Sequence, residues 1–408
     1  MAIRGGGCAR LAAMLRTLPM SAIMARSMLV ATMSTMLLMV FVPLVGWIFL
    51  ILNFKSSNLP PLEGRWPDGR RGEMNRFNQY KVFDISKSRP QVLLLGNGLF
   101  RNKDNPSWTE LILKLANLEN SSMEDKLFFS QIKNDAPYSI LAGSVLPDDR
   151  MERWKAYSCD INELDLNDDN RMYIDKILNI PFDAVLTTNY TYEIENHILR
   201  AYKEMPIEKK RAYACRTSNS KSRKAFRTFN RFPNGDSNVD IWHIHGETRL
   251  KQSIVMTHDE YIRNTTNIVK YVSDRRNEYQ KHYNELKFMS WIDYLIMGDV
   301  YVLGQGFDFS ELDLWWLIHR RLTEKAKVGT INFYEPMDSH GVMSSSACAL
   351  QHAGAKCHSL GVRLADGIAF ANDNNKAYSQ FYEKSLDHIK EKVLEYKNET
   401  TIRTFGNN

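Results

Sequence analysis

Gln91–Phe100 reads QVLLLGNGLF. The apolar run Val92–Leu95 suits a short strand buried on both faces. It runs straight into Gly96-Asn97-Gly98, a turn that only small or left-handed-tolerant residues accept easily. A helix is expected after Pro106, with Ser107 as N-cap and Glu110 three residues on, the spacing of a capping box. Strand, glycine turn and helix together let backbone N–H groups face a ligand's phosphates. Alone, the same pattern also fits an ordinary tight turn at a strand end.

The 408 residues are 44% hydrophobic, enough for one large core with attachments. A net charge of +6 is too mild to argue for nucleic acid. The five cysteines (Cys8, Cys159, Cys215, Cys348 and Cys357) include no C-x-x-C pair, which argues against a zinc ribbon or a disulfide scaffold. A reducing compartment is the simpler reading of the chain beyond its N-terminal segment, and no metal is expected.

Residues 1–26 carry four arginines and no acid, whereas 27–54 carry no charge at all. The second stretch is long enough to cross a bilayer as one helix, which needs roughly 20 residues. We read it as a single-pass anchor to the inner membrane. Arginines and lysines on both sides leave orientation open. A start at Met14, Met20, Met24 or Met28 would remove N-side arginines and favour a cytoplasmic main domain. Residues 55–88, rich in Pro, Gly and Arg, read as a linker.

From residue 89 to about 395 short apolar runs alternate with helical patterns. Strands are expected at 92–95, 182–186, 239–242, 299–303 and 329–334, with an edge strand near 356–359. Residues 248–297 read as a helical insertion, with a charged helix over Ser273–Lys287 and an apolar one around Trp291. Tyr378, Tyr382, Leu386, Ile389 and Val393 mark an amphipathic C-terminal helix, and 396–408 read as a flexible tail. The basic run 207–231, interleaved with Phe226 and Phe229, suits either an anionic-ligand patch or a solvated loop. This alternation predicts an α/β, doubly wound, mainly parallel sheet. Its strands end in Gly-Asn-Gly, Thr187-Thr188-Asn189, His245-Gly246, Gly304-Gln305-Gly306 and Glu335, and all five ends should line one edge. Alternation would put His243 and His245 on one face. No third cluster completes a metal set, so a histidine beside a glycine suggests a titratable group open to substrate.

The ordered motifs LLLGNGLF (93–100), SW (107–108), FDAVLTTNY (182–190), IWHIHGE (241–247), YVLGQGFDFSELD (301–313) and INFYEP (331–336) resemble the sirtuin-like superfamily. They are most similar to its bacterial branch of NAD-hydrolysing domains in anti-phage defence. The resemblance covers about residues 89–345 and implies a Rossmann-like fold with NAD as substrate. It implies that Gly96, Asn97 and Gly98 hold the dinucleotide phosphates. Thr187 and Thr188 would border the nicotinamide ribose, Gly304, Gln305, Gly306 and Phe307 the far side of the ligand, and Leu99, Phe100 and Gly246 would bind the cofactor as well. Asn332 and Glu335 would contact the adenosine ribose. Asn189 and His245 match the family's catalytic pair. Thr191 stands where sirtuins carry an acidic residue, and Asn332 and Glu335 are one residue further apart than usual. The absent C-x-x-C module argues against a deacylase. A deacylase or ADP-ribosyltransferase of the same fold and a non-catalytic nucleotide sensor remain the rival readings, and a homo-oligomer or an activating partner stays open.

Overall fold

Val92, Leu93, Leu94 and Leu95 are all shielded from solvent in the computed structural model. The structure describes residues 80–405 except 102–104, 106, 118–121, 133–135, 163, 205–214, 219–227, 235–236, 325–327 and 366–371. All of these fall in one compact unit, Leu62–Asn408. The expected segment 1–26, the anchor 27–54, most of the linker and much of the basic run lie outside the described residues. No helix among the described residues is long and apolar enough to cross a membrane.

The strands are β1 (Val82–Phe83), β2 (Gln91–Leu95), β3 (Ala184–Thr187), β4 (Cys215–Ser218), β5 (Thr228–Asn234), β6 (Ser237–His243), β7 (Leu286–Lys287), β8 (Asp299–Leu303), β9 (Ile331–Tyr334) and β10 (Lys356–His358). An eight-stranded sheet has the order β10-β9-β8-β2-β3-β6-β5-β4. Its first six members pair in parallel, and β5 and β4 extend it antiparallel. Counted in chain order, the parallel strands stand 3-2-1-4-5-6, the arrangement of dinucleotide-binding sheets. The order reverses between β2 and β8, which leaves a crevice beyond their carboxyl ends.

Helices cover both faces, so the doubly wound expectation holds. They are α1 (Trp108–Leu115), α2 (Met123–Ile132), α3 (Tyr138–Val145), α4 (Arg150–Asp160), α5 (Asp168–Leu178), α6 (Glu193–Glu204), α7 (His258–Asp274), α8 (Arg276–Lys281), α9 (Trp291–Met297), α10 (Leu312–Thr323), α11 (Ser345–His352) and α12 (Asn372–Phe405). Val92 and Leu94 pack with α7, α9, α10 and α11; Leu93 and Leu95 pack with α5, α6 and α12. Each such buried leucine contributes roughly 1.5–3 kcal/mol. A third apolar cluster joins α1–α4 to Tyr190 and Met256.

Three segments depart from the sequence reading in their secondary structure. The charged stretch 273–287 is not one helix. Its polypeptide breaks at Arg275, whose side chain is buried against Asp293 at 3.0 Å, and it ends in β7, which pairs with β1. The basic run contributes β4 and β5 instead of a free loop. The expected tail is helical to Phe405, because Tyr396 accepts the Arg89 N–H at 2.7 Å and Lys397 lies 3.8 Å from Asp183.

Candidate functional site

Two glycine turns meet at the reversal of strand order. Gly96 N–H donates to Leu303 O at 3.0 Å, and Gly98 N–H to Gly304 O at 2.8 Å. A β-carbon on Gly96 or Gly98 would stand 2.3 or 2.6 Å from Gly304 O, closer than carbon and oxygen can approach. Gly304 itself has φ +67°, which favours glycine. Thus the two turns pack backbone to backbone, and a 3-10 helix, Asn97–Phe100, starts directly from the first turn. Ser107 and Glu110 form the expected capping box on α1, with N···O distances of 3.2 and 2.6 Å.

Above the turns lies a cavity of about 300 Å³, at the lower end of small-molecule pockets. Its floor is Asn97, Gly98 and Gly304–Phe307. Aromatic walls come from Trp108, Tyr138, Tyr190 and Tyr261 on one side and Tyr334, Tyr378, Phe381 and Tyr382 on the other. Thr188, Arg101, Asp308, Glu311 and Glu335 supply polar groups. Phe307 has φ +50°, strained for a bulky side chain. It is buried between Trp315 and Phe333, with its carbonyl accepting the Ser346 hydroxyl at 2.9 Å.

Of the residues singled out in the sequence, Asn97, Gly98, Thr188, Gly304, Gln305, Gly306, Phe307 and Glu335 line this cavity. Gly96 lies beneath it as packed backbone, and Leu99 and Phe100 point into the core. Thr187 is buried, its hydroxyl accepting the Asn189 N–H at 3.1 Å. Asn332 does not reach the cavity. It sits inside β9, bonded to Thr330 at 3.2 Å, with His358 at 3.3 Å. Asn332 and Glu335 are three positions apart, so only the residue past the strand end enters the crevice. Thr191 donates to Glu193 within the core.

Asn189 and His245 lie behind the cavity wall. The Asn189 Nδ2 is buried and has no hydrogen-bond partner among the described residues. His245 is 1% exposed, with Tyr261 Oη 3.5 Å from its Nδ1 and Asp313 Oδ2 3.2 Å from its Nε2. Burial opposes a charge on His245, but the Asp313 carboxylate outweighs it and raises the imidazole above its ordinary value. Gly246, at φ +94°, turns its backbone against Ser253.

The two histidines do not share a face. Because β6 ends at His243, alternation stops there. His243 reaches the Asn189 carbonyl at 2.7 Å and Glu195 at 2.9 Å on the α6 side, while His245 faces α7 and α10.

Glu311 was not singled out in the sequence. Gln305 Nε2 donates to both its carboxylate oxygens at 2.7 Å, and Gln305 Oε1 accepts the Thr188 hydroxyl at 3.1 Å. Burial pushes the Glu311 carboxyl up to about 7; His245 opposes that rise, while Asp313 and Asp308 add to it. Arg101 and Tyr261 were missed as well. Their signal would have been position: one follows the glycine-turn helix, and the other lies on the helix packed over the strand ends. No protein-family model matches this chain, and a search of curated proteins finds none that matches it.

Proposed function

We propose that this chain is a sirtuin-like NAD hydrolase that cleaves the nicotinamide–ribose bond, anchored through residues 27–54 in a bacterial inner membrane with its main domain in the cytoplasm. Its place would be anti-phage defence. The observation that carries the reading is the cavity at the reversal of strand order, floored by the glycine backbone of Gly98, Gly304 and Gly306. An extended, phosphate-containing ligand can cross there against backbone alone. Aromatic side chains at both ends of the cavity offer faces for two planar rings.

In this reading the C1′–N bond breaks through an oxocarbenium-like centre and nicotinamide leaves neutral, so no acid is needed. Water adds to C1′ and gives up a proton. Asn189, with its unpartnered amide, would orient that water, and His245 would receive the proton once the Tyr261 ring swings aside. The test is NAD consumption and nicotinamide release by the purified full-length chain, beside Asn189→Ala and His245→Ala. A loss of about 10²–10⁴-fold in the His245 variant is expected, the usual worth of a general base. An unchanged rate removes His245 from the chemistry.

One observation favours a second reading. Neither Asn189 nor His245 opens onto the cavity, which suits a sensor that binds NAD without turning it over. Tight binding with intact ligand recovered afterwards would support that reading.

A further inference from the structure

The geometry points to a cation-selecting subsite at the Thr188 end of the cavity, where Glu311 takes the positively charged, oxidised pyridinium ring of a dinucleotide and discriminates against the neutral, reduced ring. This rests on the dinucleotide reading above and adds to it which redox form is held, and by which residue.

The sheet sets the direction. Across the crevice the strand ends run β3, β2, β8, β9, so Thr188 stands at one end and Glu335 at the other. Glu311 belongs to the Thr188 end, joined to it through the Gln305 amide. Because Thr188 donates to the Gln305 carbonyl, the amide nitrogen is the atom that faces Glu311. The amide NH2 serves each carboxylate oxygen once, which leaves lone pairs on both to meet a ligand.

Charge is unevenly placed along the cavity. Asp308, Glu311 and Asp313 gather around the buried His245 at the Thr188 end. At the opposite end Arg101, the one cationic side chain lining the cavity among the described residues, acts on Tyr378 and Tyr382 together with Glu335, so that end carries one charge of each sign. A ligand with a positive ring at one end and phosphates in its middle matches that gradient. A ligand with a neutral ring gives up that contact while still screening the Glu311 carboxylate from water.

The groups facing Glu311 are His245 from the turn after β6, Asp308 and Asp313 around the start of α10, Tyr261 from α7 and Tyr190 after β3. Burial leads them in holding the Glu311 carboxyl up to about 7. The subsite therefore gains charge, and selectivity, as pH rises through neutrality.

The test uses a carbocyclic NAD analogue, whose ring–sugar bond resists hydrolysis, in its oxidised and reduced forms. Both are titrated calorimetrically into the full-length chain at pH 6 and pH 8. The oxidised form should bind about tenfold or more tightly at pH 8, the scale of one partly screened contact between opposite charges. That ratio should shrink at pH 6, vanish in Glu311→Gln and survive in part in Glu311→Asp. Equal affinities at pH 8 in the unaltered chain, or an unchanged ratio in Glu311→Gln, overturn the subsite and leave the dinucleotide site standing. Failure of both forms to bind overturns the dinucleotide reading and the subsite with it. Should Glu311→Gln fail to melt cooperatively, the change in ratio between pH 6 and pH 8 in the unaltered chain decides.

Discussion

His243 has acceptors at both ring nitrogens, the Asn189 carbonyl and the Glu195 carboxylate. A neutral imidazole could donate to only one of them, so the ring is held as an imidazolium. Burial opposes this charge, Glu195 more than restores it, and the pKa rises to about 9 from an ordinary 6.5. A folded-state pKa raised in this way gives stability that is whole below about pH 6.5 and lost as pH climbs through 9. The melting temperature should thus fall between pH 7 and pH 9.5. The double variant His243→Gln, Glu195→Gln should lose most of that slope; an equal slope in both proteins would count against the pair. The same arrangement explains why sequence reading misplaced the two histidines. Alternation holds only while a strand lasts, and nothing in IWHIHGE marks His243 as the last strand residue. Gly96 was more legible, since backbone contact at a turn leaves glycine as its trace. Gly96→Ala should cost about 1–3 kcal/mol through overpacking against Gly304 and weaken NAD binding with it. Denaturant unfolding and a binding titration would measure the two losses.

The elements nearest the crevice were legible because fully buried parallel strands are short apolar runs closed by small or polar residues. The six parallel strands begin and end within about three residues of their sequence-based positions. The β4–β5 hairpin was not, because its sequence is basic and its partners are distant. Arg231 shows why charge misled: it is buried in β5 and donates to Asp240 of β6 through Nε and Nη2 at 2.6 and 2.8 Å. Asp240 also accepts from Tyr294 at 3.3 Å. A cation reads as solvated until a carboxylate in the neighbouring strand is known to face it. Removing one member of such a buried pair usually costs about 3–5 kcal/mol, since the other is left without a counter-charge. Arg231→Ala should destabilise the fold on that scale. Chemical denaturation of that variant beside the unaltered chain would measure the loss. Glu311 escaped for a related reason: an acid just before a helix reads as a terminus signal, and only the folding back of the segment after β8 brings it to Gln305.

At the scale of the whole molecule, two apolar clusters sandwich the sheet, while the third binds α1–α4 over its carboxyl edge. The third is the smallest, and its helices leave Met123, Leu127 and Phe128 at 81%, 58% and 45% exposure. Local opening draws on buried apolar contact, so this layer should open at lower free energy than the strands. The cavity links it to the ligand unevenly. Trp108 of α1 and Tyr138 of α3 form part of the wall, with rings 6.3 Å apart, whereas no residue of α2 lines it. Any opening that carries Trp108 and Tyr138 away also removes the binding surface and is therefore suppressed by ligand. Opening of α2 alone is not. A ligand present at 100 times its Kd stabilises the competent state by about 2.7 kcal/mol. With the oxidised carbocyclic analogue at that ratio, amide exchange in α1 and α3 should slow by up to about a hundredfold while α2 keeps its rate. Equal slowing in all three helices would mean that α1–α4 open as one unit; no slowing in α1 and α3 would mean that the ligand does not rest on Trp108 and Tyr138.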